Sequence, residues 1–146
     1  MAQQANIYLG LGSNLGDRHA MLLSAIEQLI VRVGPLVRCS SLIETAPMGF
    51  ESEHAFMNAV AHFHTTLTPH ELLEATQSIE RELGRQHKSI DGHYTDRPID
   101  IDILLYDDLQ VDEPDLKIPH PRMKERPFVM QPLNEVLSFK ERTFIF

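Results

Sequence analysis

The order of secondary-structure elements predicted from the sequence is βαββαβ, followed by further C-terminal elements. Four stretches have the apolar content or the alternation of strands, at residues 5–12, 36–44, 55–66 and 98–106. Two stretches between them repeat apolar residues at helical spacing. This split βαβ order predicts an α+β, ferredoxin-like fold, in which an antiparallel sheet carries its helices on one face.

The first strand is apolar and ends in glycines. Asp17 follows it and is a suitable N-cap for a helix over residues 18–33. Gly34 and Pro35 end that helix. The second strand, at residues 36–44, comes directly after them.

A loop precedes the third strand. Residues 45–54 combine proline, glycine and polar side chains, which is typical of a loop. In the strand over residues 55–66, alternate positions such as Ala61 and Phe63 share one face.

The second helix has a clear N-terminal signal. Thr68 is the predicted N-cap, Pro69 the first helical residue, and Glu71 completes a capping box. The helix is predicted to extend to about Gly84. The polar residues 85–96 that follow have no period and are predicted to form a loop.

The C-terminal part begins with the fourth strand, at residues 98–106. Residues 107–126 contain three prolines and are predicted to be irregular. A short helix over residues 127–137 should begin at Pro127 and be disturbed by Pro132.

Length and composition are those of one globular domain over residues 1–146, with 42% hydrophobic and 23% charged residues. The formal net charge of −8 argues against non-specific nucleic-acid binding and against docking on an anionic membrane. The longest apolar runs are too short to span a membrane. With one cysteine and no signal-peptide pattern, we expect a cytoplasmic protein, and we expect it to be a monomer.

Two windows rich in basic residues flank a pair of aspartates. Residues 81–97 and 117–126 hold eight of the thirteen lysines and arginines. Between them, Asp100 and Asp102 share one face of a strand, with Cα atoms about 6.6 Å apart. Two adjacent carboxylates repel each other unless a cation lies between them, and Mg²⁺ prefers such oxygen ligands. The combination is typical of phosphoryl transfer, although a lone D-x-D motif is more often a solvated strand face.

Other motifs are weaker. The glycine-rich residues 10–17 match neither phosphate-binding consensus and favour a tight turn before the helix. Gln77 and Glu80 lie one turn apart on the second helix, where an ordinary exposed face is the simpler interpretation. His120 lies in the stiff, basic segment 118–126, where it could bind phosphate or pack.

Several motifs together resemble the 6-hydroxymethyl-7,8-dihydropterin pyrophosphokinase (HPPK) family. They follow the family's order, at residues 8–17, 44–49, 56–59, 77–85, 97–106 and 118–128. The most specific are the aspartate strand and the pattern P-H-x-x-M-x-x-R-x-F. The resemblance implies the folate-pathway reaction in which the diphosphate of ATP moves to the pterin hydroxymethyl group and AMP leaves.

The resemblance also implies the site residues. Two Mg²⁺ ions, with ATP, would bind Asp100 and Asp102, and Arg85 and Arg97 would join these aspartates in catalysis. The nucleotide would contact Gln77, Glu80, Arg85, Arg97, Ile103, Lys117, His120 and Arg126. The pterin would lie among Thr45, Ala46, Met48, Phe56, Asn58, Tyr94 and Phe128. Two aromatic faces and an amide suit a flat heterocycle with a polar edge.

Two other functional classes fit the residues when they are taken without the resemblance. One is a ferredoxin-like regulatory domain that binds a small ligand without catalysis. The other is a two-metal phosphohydrolase. The products separate the three, because the pyrophosphokinase forms AMP, the phosphohydrolase releases phosphate without a pterin, and the binding domain forms neither.

Overall fold

The computed structural model describes residues 3–45, 55–84, 98–138 and 140–142. Its elements, in chain order, are β1 (Ala5–Ser13), α1 (Arg18–Arg32), β2 (Leu36–Cys39), β3 (Ile43–Thr45), β4 (Phe56–Thr65), α2 (Pro69–Glu82), β5 (Asp100–Tyr106), β6 (Val111–Glu113), β7 (Leu116–Ile118), a 3₁₀ helix (Met123–Glu125) and α3 (Pro127–Val136). None of the helices in these ranges is long and apolar enough to cross a membrane.

The main sheet has the strand order β2-β4-β1-β5, and β3 also pairs with β4. All of these pairings are antiparallel. Strand β1 is therefore central, and β5 forms one edge. This order confirms the predicted ferredoxin-like βαββαβ arrangement.

Alternation along the central strands divides the core into two parts. Odd-numbered residues of β1 such as Leu9 pack with Leu29 of α1, Leu72 of α2 and Phe63 of β4. Even-numbered Tyr8 packs on the opposite face with α3. The two helices of the βαββαβ unit thus share one face, as predicted, and the additional helix covers part of the other.

The helix caps agree with the sequence prediction. Asp17 accepts a hydrogen bond from the Ala20 N–H at 3.0 Å. The hydroxyl of Thr68 accepts from Glu71 N–H at 3.2 Å, and the Glu71 carboxylate accepts from Thr68 N–H at 2.8 Å. Each cap satisfies N–H groups that the first helical turn leaves without partners.

The prediction of one continuous strand over residues 36–44 is wrong, because a bulge divides it into β2 and β3. Ser40 N–H donates to the Val60 carbonyl, while its hydroxyl accepts from Val60 N–H, both at 2.9 Å. A side chain thus replaces one carbonyl of the ladder, and an extra residue is accommodated.

Residues 107–126 also differ from the prediction. They contain the β6–β7 hairpin and a 3₁₀ helix. The two strands and the 3₁₀ helix have three residues each, which is too short for a periodic pattern in the sequence to reveal them. Helix α3 begins at Pro127, as predicted. The predicted disturbance at Pro132 is wrong, because the helix continues through this buried proline to Val136.

Gly34 provides a test of the packing between the end of α1 and β4. A Cβ at this position would lie 1.9 Å from the His64 carbonyl oxygen. We therefore expect Gly34→Ala to lower the free energy of unfolding by about 3 kcal/mol, because backbone must move. Gly16→Ala is the control: its φ of +66° is strained, but no atom lies within 4 Å of its Cβ. The control should lose about 1 kcal/mol in urea unfolding, and equal losses would contradict the steric explanation.

Candidate active site

A cleft of about 460 Å³ opens beside β5, between α2, the β6–β7 hairpin and the segment that follows β7. Its lining residues are Leu73, Thr76, Gln77, Glu80, Asp100, Ile101, Asp102, Ile103, Pro114, Asp115, Leu116, Lys117, His120, Pro121 and Arg126. The cleft thus gathers both predicted metal ligands. It also gathers each predicted nucleotide residue within the described ranges. Arg85 and Arg97 lie outside those ranges.

Strand β5 places the two aspartates. Its alternate residues Ile101 and Ile103 are buried in the core, so Asp100 and Asp102 point to the opposite face. In the neighbouring strand β1, Gly12 pairs with Asp100 and Gly10 with Asp102. The carboxylates therefore have no side chains beside them on that strand.

These glycines correct the interpretation of the glycine-rich segment. Gly10 and Gly12 lie within β1, which continues to Ser13. The turn that the sequence favoured is shorter and contains Gly16, whose φ is +66°. Glycine inside a strand marks a close approach of other groups. Here a Cβ on Gly12 would lie 3.0 Å from Asn58 Oδ1.

Glu80 is buried, although the sequence favoured an exposed position. Its Oε2 accepts a hydrogen bond from Ile101 N–H at 2.7 Å. Because β5 is at the edge of the sheet, this bond ties α2 to the strand between Asp100 and Asp102. Gln77, one turn earlier, is exposed and lines the cleft.

His120 is oriented by the backbone. Its N–H donates to the Leu104 carbonyl at 3.0 Å, and its Nδ1 accepts from Arg122 N–H at 3.2 Å. Burial lowers the pKa of His120, and the positive charge of Arg126 lowers it further, while Asp100 opposes the shift. The neutral ring, with Nδ1 as acceptor, carries its proton on Nε2 and can donate one hydrogen bond.

The hairpin supplies the outer wall of the cleft. Lys117 forms an ion pair with Asp112, and both side chains are exposed, so the pair stabilises the fold little. Asp115 and Leu116 were not among the predicted site residues, because the sequence pattern indicated no hairpin. Thr76 was not among them either, although helical spacing from Glu80 could have identified it.

Three of the predicted pterin residues, Thr45, Phe56 and Asn58, lie on the other side of Gly12 from Asp100. Asn58 Nδ2 donates to Thr45 Oγ1 at 2.8 Å, and Thr45 pairs with Phe56. Gly12 pairs with both Asn58 and Asp100, so these two residues share one face of the sheet with β1 between them. Two interstrand spacings put their Cα atoms about 10 Å apart.

The remaining predicted pterin residues divide into two groups. Phe128 is half-buried at the start of α3, with the Arg126 guanidinium carbon 5.8 Å from its ring centroid. Ala46, Met48 and Tyr94 lie outside the described residues.

The donor chemistry at Asp100 and Asp102 fits Mg²⁺. Within the described ranges, no group of three or more histidine, cysteine or acidic side chains could hold a metal ion. Magnesium is commonly bound by one or two carboxylates together with substrate phosphates, and it does not need a cage made entirely by the protein. The pair is therefore suited to a cation that arrives with a nucleotide.

Comparison with known proteins finds relatives along almost the whole chain. The family described as 7,8-dihydro-6-hydroxymethylpterin-pyrophosphokinase (HPPK) matches residues 8–138. A protein of Porphyromonas gingivalis, named 2-amino-4-hydroxy-6-hydroxymethyldihydropteridine pyrophosphokinase, is 54% identical over 133 residues, which are 90% of each chain. The Bacillus subtilis protein of the same name is 41% identical over 136 residues, covering 92% of this chain and 80% of its own.

Solved structures show the same fold. A Plasmodium falciparum HPPK-DHPS chain matches 93% of this chain with a TM-score of 0.72 and 16% identity. This chain spans about two fifths of that longer protein, 42% of its length. At this identity the likeness supports the fold alone.

Replacement of Glu80 tests its role in the packing of β5. Glu80→Ala leaves the Ile101 N–H buried without its acceptor, so the free energy of unfolding should fall by about 2 kcal/mol. Glu80→Gln keeps an oxygen acceptor and should lose less than about 1 kcal/mol. Gln77→Ala, on the exposed side of the same helix, is the control. It should change the free energy of unfolding, measured in urea, by less than about 0.5 kcal/mol. An equal loss in the Ala and Gln variants would show that the hydrogen bond is unimportant.

Proposed function

The chain belongs to the 7,8-dihydro-6-hydroxymethylpterin-pyrophosphokinase (HPPK) family, and we propose that the cleft beside β5 is where it binds ATP. Its function is the pyrophosphokinase step of folate synthesis, the transfer of diphosphate from ATP to 6-hydroxymethyl-7,8-dihydropterin with release of AMP. The observation that carries the site assignment is the pairing of Gly12 with Asn58 on one side and with Asp100 on the other.

The nucleotide has one favoured direction in the cleft. Leu73, Ile103 and Leu116 offer apolar surface between α2 and the hairpin, which suits a base. His120 and Arg126, beside the aspartates, offer an Nε2–H donor and a guanidinium, which suit phosphate oxygens. We place the triphosphate at that end.

Asp100 and Asp102 would hold Mg²⁺ together with the phosphates. Enzymes of this family use ATP with Mg²⁺, and the number of two ions is our proposal from the family resemblance. Bound there, the metal would neutralise phosphate charge and lower the pKa of a coordinated hydroxyl. Arg85 and Arg97, outside the described residues, are proposed to stabilise charge on the transferred group.

The pterin is proposed to lie on the sheet face at Thr45, Phe56 and Asn58. The Thr45 hydroxyl accepts from the Asn58 amide and so fixes the orientation of that side chain. An amide held in this way can pair with the polar edge of the heterocycle, while Phe56 and Phe128 are proposed to contact its faces. Ala46, Met48 and Tyr94 stay predicted contacts. The hydroxymethyl group would then point past Gly12 toward Asp100.

The two alternative functions receive less support. The matching family and both bacterial relatives carry the word pyrophosphokinase in their names, which favours an enzyme over a regulatory binding domain. A phosphohydrolase that acts without a pterin would give no role to the hydrogen-bonded amide of Asn58 on the same sheet face as the carboxylates. The cytoplasmic location, the single domain and the monomeric state stay predictions.

Product analysis tests the reaction directly. With ATP, Mg²⁺ and 6-hydroxymethyl-7,8-dihydropterin, we expect one AMP for each pterin diphosphate and no ADP, as separated by ion-exchange chromatography. Without the pterin, AMP should not form. Formation of ADP, or of free phosphate without a pterin, would contradict the proposed function.

Neutral variants of the aspartates test the proposed metal site. Asp100→Asn and Asp102→Asn keep the side-chain size but remove the charge, so each should lower kcat by at least about 100-fold. Calorimetry should show weaker binding of an Mg²⁺–ATP analogue complex by each variant. Asp108→Asn, in the exposed turn after β5, is the control and should keep full activity. If an aspartate variant kept wild-type turnover, that residue would not be a metal ligand.

A further inference from the structure

Arg18 links the two strands that carry the proposed pterin residues. It is the first residue of α1. Its Nη1 donates to the Ala55 carbonyl at 2.8 Å, and its Nη2 donates to Glu44 Oε2 at 3.2 Å. The two acceptors lie 26 and 37 residues away in sequence. One guanidinium thus attaches the helix to β3 and to the residue that directly precedes β4.

These contacts lie directly beside the proposed pterin site. Glu44 precedes Thr45 in β3, and Ala55 precedes Phe56, the first residue of β4. Thr45 and Phe56 are paired across the two strands. Arg18 therefore holds the residues that come immediately before both members of this pair.

Strand β3 needs such an attachment because it is short. It has three residues, the bulge at Ser40 separates it from β2, and its ladder is formed with β4. A short edge segment of this kind opens locally more easily than the central strands. The Asn58–Thr45 hydrogen bond of 2.8 Å forms only when β3 is in place.

We propose that Arg18 is a positioning residue for the pterin site: it fixes β3 against β4 and so sets the geometry of Thr45, Phe56 and Asn58. This inference rests on the proposed function. Arg18 is not a lining residue of the nucleotide cleft, which is formed by α2, β5, the hairpin and the segment after it. Its influence should therefore separate the two substrates.

Steady-state kinetics with both substrates test this role. Arg18→Ala should raise the KM for the pterin about fivefold, while the KM for ATP stays within about twofold of the wild-type value. Arg18→Lys keeps the charge but replaces the planar two-point fork, and should give an intermediate KM for the pterin. Because the ion pair is partly exposed, the thermal midpoint should change little.

Arg32→Ala is the matched control. Arg32 is also on α1 and forms an ion pair with Glu82 of α2, away from β3. Its replacement should leave both KM values unchanged. Glu44→Ala removes one of the two contacts and should raise the KM for the pterin less than Arg18→Ala. In the Arg18→Ala background it should have almost no further effect, because its partner is gone.

Several results would overturn the inference. An unchanged KM for the pterin in Arg18→Ala would do so, as would equal increases in the KM values of both substrates. If Arg18→Ala did not fold, the double variant Arg18→Lys with Glu44→Ala would replace it. Fully additive effects of the two changes on the KM for the pterin would then overturn the inference. If the wild-type chain formed no AMP, the proposed function would be wrong, and this inference with it. An active wild-type chain with one of the results above would overturn this inference alone, so the two failures are distinguishable.

Discussion

The proposed active site depends on one residue without a side chain in the central strand of the sheet. Gly12 pairs with Asn58 in β4 and with Asp100 in β5, so the amide and the carboxylate share a face with nothing but glycine between them. A Cβ there would press on the Asn58 amide at 3.0 Å. The opposite face of β1 has a different task, because Leu9 and Leu11 fill the core beneath α1 and α2. The strand can serve both purposes since successive side chains alternate between the two faces.

Two elements around this strand support the site face and the edge of the sheet. Helix α3 packs on the same face of the sheet as the site, against Tyr8 and Val60. The edge strand β5 is held from the side by the buried carboxylate of Glu80, which accepts the Ile101 N–H between the two aspartates. Buried N–H groups need such acceptors. The same bond that stabilises the edge thus fixes the strand that presents Asp100 and Asp102.

Most of the fold could be predicted from local sequence signals. Features that depend on contacts between residues distant in sequence could not. Thr68 and Glu71 predicted the start of α2 because a capping box needs only four adjacent residues, and alternation predicted the common face of Asp100 and Asp102. The burial of Glu80 was missed because its partner, Ile101, is 21 residues away. The hairpin residue Asp115 was missed because three-residue strands carry too little periodicity. The family resemblance identified five further residues that line the cleft, which local spacing alone would not have assigned to a nucleotide: Gln77, Ile103, Lys117, His120 and Arg126.

The charge of the cleft explains why a nucleotide would have to arrive with a cation. Among the described lining residues, Glu80, Asp100, Asp102 and Asp115 are acidic, whereas Lys117 and Arg126 are basic. His120 adds no positive charge at neutral pH, because burial and the nearby Arg126 lower its pKa. The described walls carry more negative than positive side chains, so they would repel a free triphosphate. The repulsion would be strongest at the carboxylates. An acidic cleft in a chain of net charge −8 therefore favours the complex of ATP with a divalent cation over free ATP. The same balance gives the predicted arginines at 85 and 97 their importance, since they would supply the positive charge that the described walls lack.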